Sequence, residues 1–234
     1  MREITNPLQA CLDVLIRPNP VFARLATANN WSWVPFALLV IISTLPAYAY
    51  FSSVDIQWYQ DLIINQTMAD VSPAEQDVAR SGMTRDNMIT LTLMFAAIGM
   101  IMVNALMALY LNMMTKMDPE QVHSYGDWYG MTWWVNMPNI IGAILSLLVI
   151  SLSSTDRLPP ESLNVTSLAY WLNLPMSSDW FSLLQSVRLE SFWSIYLLAA
   201  GISQWTQIKS NTTWLIAALP YLLVWGIWAV TAAV

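Results

Sequence analysis

The chain has 234 residues, of which 56% are apolar and 10% are charged, and its formal net charge is −6. Ordinary soluble domains carry roughly one quarter charged residues, so this composition excludes that class and indicates an integral membrane protein. The acidic balance gives no reason to expect nucleic-acid binding, which needs basic patches. The single cysteine, Cys11, cannot form a disulfide within the chain.

Residues 1–31 precede the first long apolar stretch and predict amphipathic helices at the membrane interface. Asn6 can cap a helix with Pro7 at its first position, and Pro18 ends that helix. A second short helix follows. The apolar residues that recur at helical spacing form a candidate interfacial or partner surface: Leu8, Leu12, Leu15, Ile16 and Phe22. Packing of this face on the cytoplasmic ends of the bundle is an equally good interpretation.

The segment Ala47-Tyr48-Ala49, after an apolar run, resembles the cleavage site of a secretory signal. We reject that interpretation because a segment of about thirty amphipathic residues precedes the run, in place of a short basic region. The run is therefore interpreted as a retained first span.

Five apolar stretches are long enough to cross the roughly 30 Å hydrocarbon core as helices. We predict an all-α integral membrane protein in which residues 32–234 form one five-span domain. The predicted spans are residues 33–51, 87–115, 128–152, 191–207 and 213–231, with external loops at 52–86 and 153–190. Within the first loop, Ser72 and Glu75 form a capping-box pattern that predicts a short helix.

With five spans, the two termini lie on opposite sides of the membrane. The side of the N-terminus holds five lysines and arginines and the other side holds four, and the shorter loops of the N-terminal side concentrate them. Because basic residues favour the cytoplasmic side, we predict a cytoplasmic N-terminus and an external C-terminus.

The third predicted span contains Pro138 between Asn136 and Asn139. Proline leaves a backbone carbonyl without its helical partner, and amides at membrane depth need partners, so this helix is predicted to face protein. Amides and prolines in the other spans complete a set of candidate intramembrane polar and helix-break positions: Asn104, Asn136, Pro138, Asn139, Gln204, Gln207 and Pro220. A buried amide such as Asn104 usually contributes about 1 kcal/mol to interhelical contact.

Chemistry-bearing residues are scarce in the sequence. The five predicted spans contain no acidic or basic residue in their apolar cores, which argues against a pump. His123 is the only histidine, which excludes a multi-histidine metal cluster within the chain. A Ser-His-Asp triad would have to use this same residue. Because His123 lies in a short loop, its side chain is predicted to be solvated. No phosphate-binding glycine loop occurs. We therefore predict no catalytic, cofactor or metal site, and no enzyme.

Several short segments resemble the Yip1 domain family, and particularly its bacterial members. They are Asn6-Pro7-Leu8, Arg17-Pro18-Asn19-Pro20-Val21-Phe22-Ala23-Arg24-Leu25, Trp33-Val34-Pro35-Phe36, Met137-Pro138-Asn139-Ile140-Ile141-Gly142 and Phe192-Trp193-Ser194-Ile195-Tyr196-Leu197-Leu198, followed by Gly201 and the turn at 206–210. The resemblance implies five membrane helices with a cytoplasmic N-terminus, in a bacterial inner membrane. Eukaryotic relatives bind Rab-type GTPases, a role that we do not transfer to so short an N-terminal segment.

Some bacterial relatives look like accessory partners of ABC-type exporters and envelope systems. We therefore expect a non-enzymatic accessory or scaffold protein that contacts the lipid bilayer and binds another membrane protein. The alternatives are a lipid-organising protein and a small transporter or channel. In the transporter, Asn104, Asn136, Asn139, Ser203, Gln204 and Gln207 would line a polar path near the breaks at Pro138 and Pro220.

Overall fold

The computed structural model describes residues 4–233, which form α-helices, short 3-10 turns and no extended strand. The prediction of an all-α membrane protein is confirmed. The helices are α1 Pro7–Ile16, α2 Pro18–Leu25, α3 Trp33–Ser53, α4 Ile56–Thr67, α5 Pro73–Gly82, α6 Arg85–Met114, α7 Tyr125–Val135, α8 Asn139–Leu152, α9 Leu168–Trp171, α10 Phe181–Ser186, α11 Leu189–Trp205 and α12 Ser210–Ala233. Residues 1–3 and 234, at the outer ends of the predicted segment 1–31 and domain 32–234, lie outside the described residues.

Four helical segments within residues 4–233 are long and apolar enough to cross a membrane: Trp33–Ser53, Arg85–Met117, Tyr125–Leu152 and Ser210–Ala233. They overlap the predicted first, second, third and fifth spans. The predicted fourth span is α11, whose 17 residues rise about 26 Å, slightly less than the hydrocarbon core. Ten of these residues are buried, so α11 is the helix most enclosed by the protein.

The described chain divides into two compact units, each with its own apolar core. The first unit combines the chain up to Ile41 with Gly99–Ile141 and Leu189–Gly226. The second combines Ile42–Ile98, Gly142–Arg188 and the residues from Ile227 onwards. Each unit therefore depends on contacts between segments that are far apart in the sequence.

The two N-terminal helices belong to the core of the first unit. The Asn6 side chain accepts a hydrogen bond from the Gln9 backbone N–H at 2.8 Å, and Pro7 occupies the first turn, so α1 begins where the sequence predicts. It ends before Pro18, which begins α2. The buried side chains of the two helices are Ala10, Cys11, Val14, Pro18, Val21, Phe22 and Leu25.

Helix α11 packs against both α2 and α7 in this unit. The indole N–H of Trp205 donates to the Phe22 carbonyl oxygen at 2.8 Å, which ties the end of α11 to α2. Gly201 permits the close approach, because a Cβ at this position would lie 2.7 Å from Met131 Sδ and 3.4 Å from Phe22 Cδ1. A side chain at position 201 would therefore force the buried Met131 side chain to move where the three helices meet.

The second unit is built around an aromatic cluster at the end of α3, with Tyr50, Phe51 and Tyr59 in edge-to-face contacts. The Arg85 guanidinium donates to the carbonyl oxygens of Phe51 and Val54. Carbonyl groups at a helix C-terminus have no partner within the helix, so Arg85 supplies one. These bonds fix the beginning of α6 beside the end of α3.

The loop after α3 contains two helices, one more than the sequence predicts. Asp55 caps α4 by accepting from the backbone N–H groups of Gln57 and Trp58, both at 3.1 Å, and it pairs with Arg157. The Trp58 N–H contributes most to lowering the pKa of Asp55. The predicted capping box of Ser72 and Glu75 is present at the start of α5.

We expect Gly201→Val to destabilise the first unit by about 1–3 kcal/mol, because the added side chain overpacks the buried contact with Met131 and Phe22. Gly226→Val is the matched control, since a Cβ there meets nothing within 4 Å. Thermal unfolding in detergent measures both variants. Equal melting temperatures for the two would contradict the assigned role of Gly201.

Candidate functional site

The third membrane-crossing segment is interrupted between α7, which ends at Val135, and α8, which begins at Asn139. Here the backbone hydrogen bonds shorten to three residues: Asn139 N–H donates to Asn136 O at 3.0 Å, and Ile141 N–H donates to Pro138 O at 3.0 Å. This tighter turn accommodates the missing N–H of Pro138. It also places the Asn136 side chain within hydrogen-bonding distance of Asn104 on α6.

Three side-chain amides form a chain of hydrogen bonds at this interruption. Asn139 Nδ2 donates to Asn136 Oδ1 at 3.1 Å, and Asn136 Nδ2 donates to Asn104 Oδ1 at 3.0 Å. Asn136 Nδ2 also reaches the Thr132 carbonyl, while Asn104 Nδ2 donates to the Met100 carbonyl at 2.8 Å. The amides therefore satisfy one another and join α6 to the interrupted helix, as polar side chains do between membrane helices.

The other candidate polar positions lie elsewhere in the first unit. Gln204 is exposed, and the backbone N–H of Gln207 donates to Asp118 Oδ2 at 2.7 Å in the connection between α11 and α12. Ser203 donates to the Ala200 carbonyl of its own helix. Pro220 lies inside α12, which continues without interruption. The structure thus brings together Asn104, Asn136, Pro138 and Asn139 only.

The candidate surface on α1 is divided by the structure. Leu8, Leu12 and Ile16 are 63%, 69% and 85% exposed and follow one another at four-residue spacing, so they form a continuous aliphatic stripe. Leu15 is half-buried against the core. Phe22 was assigned to the same surface and is instead completely buried, because α2 turns its apolar face towards α11.

His123 is not the solvated loop residue that the sequence predicts. Its ring stacks on Trp205 with centroids 4.2 Å apart, and it lies edge-on to Trp128. Burial lowers the pKa of His123 by disfavouring the charged imidazolium, and the Asp127 carboxylate partly opposes this shift. The loop before α7 is therefore held on the core through an aromatic contact.

A cavity of about 640 Å³ opens in the first unit beside Trp205. Six aromatic residues line it: Trp33, Phe36, Tyr129, Trp133, Trp134 and Trp205. Its polar lining comes from Asn29, Asn30, Ser32 and Asp127. Sequence reasoning missed this cavity, because it interprets tryptophans at span ends as lipid-interface markers one helix at a time. The sequence contains no pattern that pairs residues 29–36 with residues 126–134.

We expect the amide chain to be energetically coupled. In a double-mutant cycle, Asn104→Ala and Asn136→Ala should show an interaction of about 0.5–1.7 kcal/mol, the range measured for polar contacts between membrane helices. Unfolding in mixed micelles measures the cycle. Asn112→Ala, on the same helix, replaces Asn104→Ala in the control cycle and should be additive with Asn136→Ala. Additivity in both cycles would refute the coupling.

His123 should make stability depend on pH. Because its folded pKa lies below the unfolded value of about 6.5, the unfolded chain binds more protons in that window, and stability falls as the pH drops below about 6.5. His123→Phe retains a ring on Trp205 and cannot titrate, so its melting temperature should fall less steeply between about pH 7 and pH 5. Identical slopes for both proteins would contradict this assignment.

Comparison with known proteins gives one finding. No curated protein and no solved structure matches the chain. The family model described as the Yip1 domain matches residues 12–233. This range includes α2 to α12 and the second half of α1. Because the match covers nearly the whole chain, the protein belongs to the Yip1 domain family.

Proposed function

We propose that this protein is a non-enzymatic accessory protein that acts by binding another membrane protein through its N-terminal helix. The observation that carries the proposal is the stripe of Leu8, Leu12 and Ile16 on α1. Moving large aliphatic side chains from water into an apolar contact is favourable. A stripe of them that is mostly exposed outside the spans therefore indicates a partner surface.

Helix α1, which carries the stripe, is held in place by the core of the first unit. On the opposite side of α1, Ala10 and Val14 are fully buried and Cys11 is nearly so, and α1 also packs on α2. A partner would therefore meet a helix that is already ordered, and association would cost less conformational entropy than the folding of a disordered segment.

Helix α6 offers a second surface. Of its 30 residues, only Asn104, Ala108 and Leu111 are buried, and they form one narrow line along the helix. The remaining surface includes exposed methionines at positions 94, 102 and 113. Methionine side chains adapt to irregular neighbours, which suits contact with the spans of a partner as well as with lipid.

The cellular setting is part of the proposal. We place the protein in a bacterial inner membrane with a cytoplasmic N-terminus and an external C-terminus, so α1 would face partners at the cytoplasmic surface. The support is the concentration of lysine and arginine in the shorter segments on the N-terminal side. By analogy with bacterial relatives, exporter and envelope complexes are the first partners to test.

The test is affinity purification of the tagged protein from its native membrane in mild detergent, followed by quantitative mass spectrometry. The wild type should recover a specific membrane protein near one-to-one stoichiometry. The triple variant Leu8→Gln, Leu12→Gln and Ile16→Gln should lose most of it, because glutamine preserves helix propensity and removes the apolar contact. Deleting α1 and α2 is unsuitable, because both helices contribute to the core.

The matched control is Val78→Gln with Val122→Gln, since both valines are strongly exposed and lie outside the long helices. This control should retain the partner, and all three proteins should insert into the membrane equally. Recovery of the protein without any partner, or equal partner recovery by the stripe variant, would overturn the proposal.

A further inference from the structure

The aromatic cavity of the first unit lies where two membrane-crossing segments begin. Trp33 is the first residue of one segment, and Gly126, Asp127, Tyr129 and Gly130 lie within the first turns of the segment that starts at Tyr125. The two segments have 21 and 28 residues, so as helices both are longer than the roughly 30 Å hydrocarbon core, and their first residues reach the lipid headgroup region. A ligand in this cavity would therefore be at headgroup depth.

The lining carries negative charge and no compensating positive charge. Asp127 is exposed, and its carboxylate accepts from the backbone N–H and hydroxyl of Ser124, both at 2.8 Å. It forms no ion pair with a described residue, and no lysine or arginine lines the cavity. The faces of the surrounding indole, phenol and phenyl rings also attract cations. The carboxylate and the aromatic lining thus favour a positively charged ligand of low hydration.

The remaining polar groups of the lining can donate hydrogen bonds to an anionic group, such as a phosphate, next to that cation. Trp134 Nε1 donates to Ser32 Oγ at 3.0 Å, so the Ser32 hydroxyl proton is left available to donate into the cavity. Asn29 and Asn30 add two side-chain amides to the lining, and Asn30 has a φ of 63°, a left-handed turn that asparagine tolerates. A phosphate held next to an ammonium group would find hydrogen-bond donors here.

We propose that this cavity binds an organic ammonium group, supplied by the headgroup of a zwitterionic phospholipid of the ethanolamine or choline type. Asp127 acts as the counter-ion, the rings of Trp33, Tyr129 and Trp133 enclose the ammonium group, and Ser32 with the two asparagines contacts the phosphate. A volume of about 640 Å³ lies within the usual range of ligand sites. This inference does not depend on the proposed accessory function.

Native mass spectrometry of the detergent-purified protein tests the site. Phosphatidylethanolamine, phosphatidylcholine and phosphatidylglycerol with identical acyl chains are titrated separately. The two ammonium lipids should bind at least about threefold more tightly than the glycerol lipid, and Asp127→Asn should remove that preference, since it removes the negative charge that attracts the ammonium group. Trp33→Leu should weaken binding of the ammonium lipids by about threefold.

Two control variants separate binding from folding. Asp86→Asn makes the same exchange at an exposed carboxylate in the first turn of α6, which does not line the cavity, and Trp214→Leu removes an exposed tryptophan near the start of α12. Both should keep the lipid preference. Equal binding of all three lipids by the wild type, or the same loss in Asp86→Asn as in Asp127→Asn, would overturn the proposal.

A second titration distinguishes the source of the ammonium group. Tetramethylammonium and ethanolammonium ions are added to the protein before phosphatidylethanolamine. If the lipid is the ligand, millimolar concentrations of either ion should reduce lipid binding only slightly, because the acyl chains add affinity. Tight binding of a free ion that abolishes lipid binding would overturn the lipid assignment and identify a soluble amine site.

Discussion

The first unit depends on the close contact of α11 with α2 and α7. Three features make this contact possible: the absence of a side chain at Gly201, the complete burial of Phe22, and the hydrogen bond from Trp205 to the Phe22 carbonyl. Because the indole N–H reaches a backbone acceptor, a large aromatic side chain can be buried without an unpaired donor. The same tryptophan supports the His123 loop and forms one wall of the aromatic cavity.

This arrangement changes the meaning of the N-terminal helices. As isolated amphipathic segments, they could lie on any membrane surface. Because one side of each helix packs into the core, only the other side is exposed. On α1 that exposed side is the aliphatic stripe. The proposed partner surface and the proposed lipid cavity are therefore separate: the stripe consists of residues on α1, whereas the cavity is lined from Leu25, the last residue of α2, onwards and includes the start of α7.

The chain of amides pairs polar groups that lie within the membrane-crossing segments of the first unit. A proline and three asparagines in membrane-crossing segments would be costly if each polar group faced hydrocarbon. The shortened turn at Pro138 and the bonds from Asn139 to Asn136 and from Asn136 to Asn104 pair these groups within the protein. Paired in this way, they contribute to helix association.

The sequence by itself determined the all-α membrane class, the family and the approximate positions of the long helices, because composition and apolar run length are local properties. It also identified the Asn6 cap, the capping box at Ser72 and the special character of Asn136 to Asn139. Only the tertiary structure decided that Phe22 is buried while Leu12 is exposed, that His123 stacks on Trp205, and that residues 29–36 and 126–134 enclose a cavity. Those outcomes depend on which helices meet, and helical periodicity does not specify the neighbour of each face.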